Sequence, residues 1–354
     1  MSGIPGPDGV PPTLEGSFPP SRELLLEVKG LTKRFPVRSG VLGRTTGWLR
    51  AVDGLDFWLR PGETLGLVGE SGCGKSTAGR VVLRLLEPTS GSVRFLGDDV
   101  LAMDRDALRR YRRSAQIVFQ DPYGSLDPRM TASGMLAEVL SVHGLGGDAG
   151  GRRRRIGELL ARVGLGPEHE QRYPHELSGG QRQRLGIARA LSVEPRFIVL
   201  DEPVSALDVS VRAQVVNLLE DLQRELGLAY LVIAHDLALV EHLSDRVLVM
   251  YLGRIVEAAP AARLYREPRH PYTRALLSAV PRPDPRGRAQ RARIVLPGDL
   301  PSPIHLPPGC PFHPRCPHPA KDLECTRLLP PLEAKGDNHF AACIKEPANA
   351  LTRG

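Results

Sequence analysis

The stretch Gly69-Glu70-Ser71-Gly72-Cys73-Gly74-Lys75-Ser76-Thr77 constrains what this chain can fold into more than any other. An apolar run, Leu65 to Val68, precedes it, and Ser76 to Leu86 follows with apolar residues at helical spacing. The sequence therefore predicts strand, glycine-rich loop and helix in that order. Gly69-x4-Gly74-Lys75-Ser76 is the pattern of a phosphate-binding loop. Its glycines let successive backbone N–H groups converge on a phosphate at a helix N-terminus, where the dipole also favours negative charge. Lys75 is then suited to reach β- and γ-phosphate oxygens, and the Ser76 hydroxyl to ligate Mg2+. Cys73, inside the loop, reads as a small filler and not as a nucleophile.

Ile117 to Phe119, Phe197 to Leu200 and Tyr230 to Ala234 are continuous apolar runs of strand length, as in a parallel sheet covered on both faces. Helical patterns between them, such as Val211 to Leu226, argue an α/β architecture. Residues 24 to 68 alternate short apolar runs with turns and read as a strand-rich subdomain; about 121 to 178 read as an inserted helical subdomain. The expected organisation is a tail over 1–22, a domain built around the phosphate loop over 23–258 and a loop-rich extension over 259–354, where proline becomes frequent. The tail is rich in Gly and Pro, has neither basic nor apolar signal regions, and is expected to be disordered and uncleaved.

In a chain of 354 residues, 41% hydrophobic and 25% charged, one large core plus a smaller domain is expected. No run of about 18 apolar residues occurs, so any membrane role requires partner chains. The net charge of +7 comes partly from Arg109 to Arg113 and Arg152 to Arg155. These runs read as solvated helix faces or loops, since no series of aromatic platforms alternates with them, and no nucleic-acid partner is expected.

Phe197-Ile-Val-Leu-Asp201-Glu202 places two carboxylates at the carboxyl end of a buried strand, the edge of an open sheet where ligands sit. Asp201 is suited to hold Mg2+ and Glu202 to polarise an attacking water as general base. Leu177-Ser178-Gly179-Gly180-Gln181 precedes a helical pattern, so Ser178 is predicted to be an N-cap. With these motifs in this order the chain resembles an ABC ATPase, a phosphate-loop NTPase of RecA-like fold. That resemblance implies an antiparallel β subdomain and a helical subdomain beside the nucleotide core. It also implies a head-to-tail dimer in which Ser178, Gly179, Gly180 and Gln181 of one subunit cap the ATP held by the other's phosphate loop.

The same resemblance assigns further roles. Gln120, in Val118-Phe119-Gln120-Asp121, is similar to the loop glutamine that senses Mg2+ and the transmembrane partner. His235, in Ile233-Ala234-His235-Asp236, resembles the switch histidine on the γ-phosphate, and Ser205 to Asp208 the segment that communicates across the dimer. Phe35 stands where an aromatic residue stacks on adenine; a place in the strand subdomain's core is the alternative. Outside these motifs, Phe119 to Arg129, Asp201 to Ser210 and His270 to Leu277 resemble dipeptide and oligopeptide importer ATPases, of the F type, with Asp127 where asparagine is expected. The resemblance implies ATP and Mg2+ as cofactors, two permease subunits, a paralogous ATPase subunit or a second copy, an extracytoplasmic binding protein, and a peripheral place on the cytoplasmic face of the inner membrane.

Four of the five cysteines fall late in the chain, as Cys310-x5-Cys316-x8-Cys325-x17-Cys343. Some members of the family carry a [4Fe-4S] cluster on such a pattern; zinc, with His313, His318 and His339 nearby in sequence, and unliganded thiols are the alternatives. A DNA-repair or translation ABC protein would be expected to fuse two cassettes or insert a coiled coil, neither of which is present. A non-hydrolysing ATP-binding module would be expected to lack Glu202 or His235.

Overall fold

The computed structural model describes residues 23–39, 44–280 and 293–346; the tail over 1–22 lies outside them. In chain order come β1 (Leu26–Ser39), β2 (Arg44–Leu59), β3 (Thr64–Val68), α1 (Lys75–Val82), β4 (Ser90–Phe95), β5 (Asp98–Asp99), α2 (Arg105–Ser114) and β6 (Ala115–Val118). They are followed by α3 (Pro122–Ser125), α4 (Ala132–Val142), α5 (Ala149–Arg162), α6 (Gly179–Leu191), β7 (Phe197–Asp201), α7 (Val209–Leu226), β8 (Ala229–Ala234) and α8 (Leu237–Leu243). The chain ends with β9 (Arg246–Tyr251), β10 (Arg254–Pro260), α9 (Ala261–Arg266), α10 (Pro271–Ser278), β11 (Glu333–Gly336) and β12 (His339–Ala341). The described residues form two compact units, one from those within 23–58, 69–101 and 247–346, the other from 59–68 and 102–246.

The second unit is built on the parallel strands β3, β8, β7 and β6, in that order. Every residue of β3, β7 and β8 is buried, which is why they read as unbroken apolar runs and not as alternating ones. Their register sets Asp201 opposite Ile233 and Val118 opposite Leu200, so the segments that begin at Phe119, Glu202 and His235 leave the sheet at one edge. Between β6 and α6 the chain is helical, as its pattern predicts, with 3-10 turns at Pro167–His169 and Pro174–Glu176. The arginine runs lie on α2 and α5; Tyr111, the aromatic residue within the first, is buried at 3% exposure and offers no stacking platform.

The first unit holds an antiparallel sheet in the order β2-β1-β4-β5, with Leu26, Val28, Val52, Leu55, Phe57 and Val93 buried. It also holds β9, β10, β12 and β11, in which β10 pairs β12 antiparallel through Glu257 with Ala341 and Ala258 with Phe340. Helix α1 stops at Val82, short of the Leu86 that its apolar spacing predicts, because Arg84 adopts φ +49° and turns the chain out of the helix. Among the described residues no helix is long and apolar enough to cross a membrane.

Candidate functional site

The phosphate loop follows β3 and opens α1, whose N-cap is Gly74. Gly74 has φ +109°, and a Cβ there would meet the Ala51 carbonyl oxygen at 1.8 Å; at Gly69, φ +154°, one would meet the Met250 carbonyl oxygen at 2.2 Å. Both glycines are thus required by backbone approach as well as by conformation. Lys75 is buried, at 5% exposure, and its Nζ donates to the carbonyls of Gly69 (2.7 Å) and Glu70 (3.0 Å). Cys73 is buried beside it, and burial raises its thiol pKa despite the neighbouring ammonium. A protonated small hydrophobe fits the filler reading.

In the other unit, two residues predicted from separate motifs meet on the carboxylate of a third. Gln120 Nε2 donates to Glu202 Oε2 at 2.8 Å, and His235 Nδ1 lies 3.1 Å from Glu202 Oε1. Glu202 has φ +49°, a left-handed conformation rare for a side chain of this kind, held by its N–H bond to the Ile233 carbonyl (2.8 Å) and by the Ser205 hydroxyl donating to its own carbonyl (3.2 Å). Such a conformation costs about 1–3 kcal/mol and persists only where the surroundings over-determine it. Asp201, directly before it, is buried at 1% exposure. Glu202, Ser205, Arg212, His235 and Asp236 line a concave pocket.

Two residues in this pocket were not singled out from the sequence. Asp236 Oδ1 caps α8 by accepting from Ala238 and Leu239 N–H, while Asp236 Oδ2 accepts from Arg212 Nη1 at 2.8 Å. The residue after His235 is thereby tied to both α8 and α7, which fixes where the imidazole leaves the sheet. The capping half was legible, since aspartate before an apolar run is an N-terminal signal; the Arg212 partner, 24 residues away in sequence, was not.

Ser178 caps α6 as its position predicts: its hydroxyl accepts from Gln181 N–H (3.3 Å) while Gln181 Oε1 accepts from Ser178 N–H (2.8 Å). This reciprocal capping box leaves Ser178 and Gly179 exposed at the helix N-terminus. Gln181 Nε2 also lies 3.0 Å from His169 Nε2. Phe35 is half-buried on β1 with Lys33 Nζ 5.0 Å from its ring centroid, so it is no core residue of that sheet. Asp127 is paired with Arg129 (2.9 Å), whose guanidinium holds its carboxyl well below the usual carboxylate range.

Cys310, Cys316, Cys325 and Cys343 are free thiols that line one pocket together with His313 and His318. Burial pushes the Cys310 thiol up to about 12, with the other three cysteines adding to the rise, and raises Cys316 and Cys343 as well. Among the described residues no three His, Cys, Asp or Glu side chains stand close enough to share a single metal ion. His339 does not join the group: its Nε2 is 2.6 Å from the buried Glu257 carboxylate.

Residues 52–205 match the ABC transporter family and residues 256–325 the oligopeptide/dipeptide transporter C-terminal region. The oligopeptide transport ATP-binding protein AppF of Bacillus subtilis is 52% identical over 324 residues, which cover 91% of this chain and 98% of that protein. A putative peptide import ATP-binding protein of Brucella ovis is 53% identical over 91% of this chain and 98% of its own length. Among solved structures, the dimeric ATP-binding cassette MJ0796 bound to ADP and Pi aligns with TM-score 0.59 and 28% identity, over 67% of this chain and 98% of that one. A phosphate loop, helix α6 capped by Ser178 and a strained glutamate after a buried strand, on a chain this similar to transport ATP-binding proteins, place the protein in the family of ABC transporter ATPases.

Proposed function

We propose that this chain is the ATP-hydrolysing subunit of an importer for dipeptides or oligopeptides. The observation that carries the reading is the Glu202 carboxylate with Gln120 and His235 upon it, in a chain whose C-terminal region is of the oligopeptide/dipeptide type. The partners are two permease subunits, a second ATPase subunit, either paralogous or a second copy, and an extracytoplasmic substrate-binding protein. The chain then works peripherally at the cytoplasmic face of the inner membrane.

In the proposed mechanism the phosphate loop, with Glu70 to Gly74 and Thr77 contributing backbone and Lys75 its ammonium, cradles the phosphates, while Phe35 stacks on adenine. By the family resemblance Ser76, Asp201 and Gln120 would supply the oxygen donors that a hard divalent cation such as Mg2+ takes, and the ion would neutralise charge on the phosphate oxygens. Glu202 orients the water and accepts its proton as the oxygen attacks the γ-phosphorus and the bond to ADP breaks. His235 donates to the γ-phosphate, and Ser178 to Gln181 of the partner subunit close over it. With Gln120 and His235 bracing its carboxylate, Glu202 is positioned before the water arrives.

The four cysteines support a metal centre in the same reading. What supports it is that all four line one pocket; a thiolate-held [4Fe-4S] cluster is the reading proposed, with zinc and unliganded thiols as the alternatives. The cluster's chemistry would be structural or redox; the chain's own part is to supply four thiolates, whose protons must leave on binding.

Glu202→Gln tests the mechanism. ATP should bind as in the parent protein while turnover falls by at least about a hundredfold; fast hydrolysis by the variant would show that the base lies elsewhere. Reconstitution with the permeases and binding protein in vesicles tests the cargo: ATP-dependent uptake of labelled dipeptide or oligopeptide is expected, and ATPase stimulation by an unrelated solute alone refutes the peptide assignment.

A further inference from the structure

The phosphate loop is held from outside by the C-terminal region. Arg315 Nη1 and Nη2 donate to Glu70 Oε2 (2.7 Å) and Oε1 (3.1 Å), a two-pronged pair between positions 245 residues apart. The backbone N–H of Glu70 donates to the Tyr272 hydroxyl at 2.8 Å. The carbonyl of the same residue, with that of Gly69, receives Lys75 Nζ. One residue of the loop is thus fixed at its side chain by Arg315, at its amide by Tyr272, and at its carbonyl to the lysine that meets the phosphates.

The two outer partners are themselves rigidly carried. Tyr272 and Phe312 are fully buried and pack with Tyr251 at ring-centroid distances of 4.7 to 5.4 Å. Arg315 closes a 3-10 turn over His313–Arg315, stitched by the Arg315 N–H to the Phe312 carbonyl (3.1 Å), and its side chain is only 10% exposed. A charge-assisted two-pronged pair with the arginine buried is among the stronger and more directional contacts a protein makes.

We propose that Arg315 and Tyr272 are positioning residues for ATP: through Glu70 they hold the phosphate loop and Lys75 in the nucleotide-competent shape before ATP arrives. A loop that is only fractionally in that shape weakens apparent affinity by the same fraction, and once ATP has bound the chemistry is unchanged. The consequence is a specific split of kinetic effects. Loss of the clamp raises KM and leaves kcat, whereas loss of Lys75 itself would lower kcat as well as raise KM.

The test is ATPase kinetics of the full chain carrying Arg315→Ala, Arg315→Lys, Glu70→Ala, Tyr272→Phe and the Arg315→Ala/Glu70→Ala double variant. Each is measured beside its melting temperature and its iron and zinc content. Arg315→Ala and Glu70→Ala are each expected to raise KM for ATP by about tenfold with kcat within about twofold. Arg315→Lys, which keeps the charge and loses the fork, should fall between, and the double variant should be no worse than the worse single one. Tyr272→Phe, which keeps the ring and loses the hydroxyl, should shift KM in the same direction and tests the proposal even if Arg315→Ala fails to fold. An unchanged KM, a KM rise that follows metal loss, or effects of Arg315 and Glu70 that simply add would each overturn it.

Discussion

Glu202 shows how much one residue can be asked to do. Its carboxylate receives Gln120 and His235, its backbone adopts a conformation that few residues tolerate, and it directly follows the buried Asp201. That it follows an apolar strand was readable from its neighbours; that it stands in strain was not, because φ depends on the turn that Ile233 and Ser205 impose. Gly74 is the opposite case, where the sequence pattern already demands glycine and the structure supplies the reason. Gly74→Ala should cost about 1–3 kcal/mol in backbone strain and reduce ATP affinity by more than about tenfold, since the new Cβ and the Ala51 oxygen cannot share 1.8 Å. Nucleotide titration together with thermal melting checks both halves.

At the scale of elements, helix α10 links stability to the loop. His270 caps it, Nδ1 accepting from Tyr272 N–H at 3.1 Å, and His270 N–H donates to Glu257 Oε2 at 2.8 Å. Burial pushes the imidazole pKa down to about 4; Glu257 and the Ala342 backbone oppose that shift and Arg274 adds to it. The histidine's folded pKa is below its unfolded value near 6.5, so the unfolded chain binds the extra proton first. The contribution is whole above about pH 6.5 and lost as pH falls toward 4, at about 1.4 kcal/mol per pH unit at most. Denaturant unfolding between pH 7 and 4.5 should show this slope, and His270→Asn, which can still cap, should flatten it. The capping role follows from His270-Pro271, since proline at a first helical position marks the start; the burial that depresses the pKa does not.

For the molecule as a whole, the C-terminal region is tied into the nucleotide-binding unit by β10 with β12 and by Arg315 with Glu70. The four cysteines, spread from Cys310 to Cys343, come to one pocket only through that packing. Protein purified anaerobically should be brown with visible absorbance, and Cys316→Ser should remove both colour and iron. Colourless protein containing zinc would replace the cluster with a zinc site, and protein with neither metal would leave the thiols unliganded.

The sequence by itself determined the order of strands and helices around the phosphate loop and the cap at Ser178, and it marked Lys75, Asp201, Glu202 and His235 as the candidates for phosphate chemistry. Those are local properties: glycine where backbone must approach, apolar runs where strands are covered on both faces, short polar side chains where helices begin. Helix ends such as that of α1, set by the turn at Arg84, were less well marked. Only the tertiary structure decided that Gln120 and His235 share the Glu202 carboxylate, that Arg212 braces Asp236, and that Arg315 and Tyr272 reach Glu70. Each of those contacts joins residues far apart in the chain, and such pairs are selected by which buried surfaces can pack together, a choice no local pattern encodes.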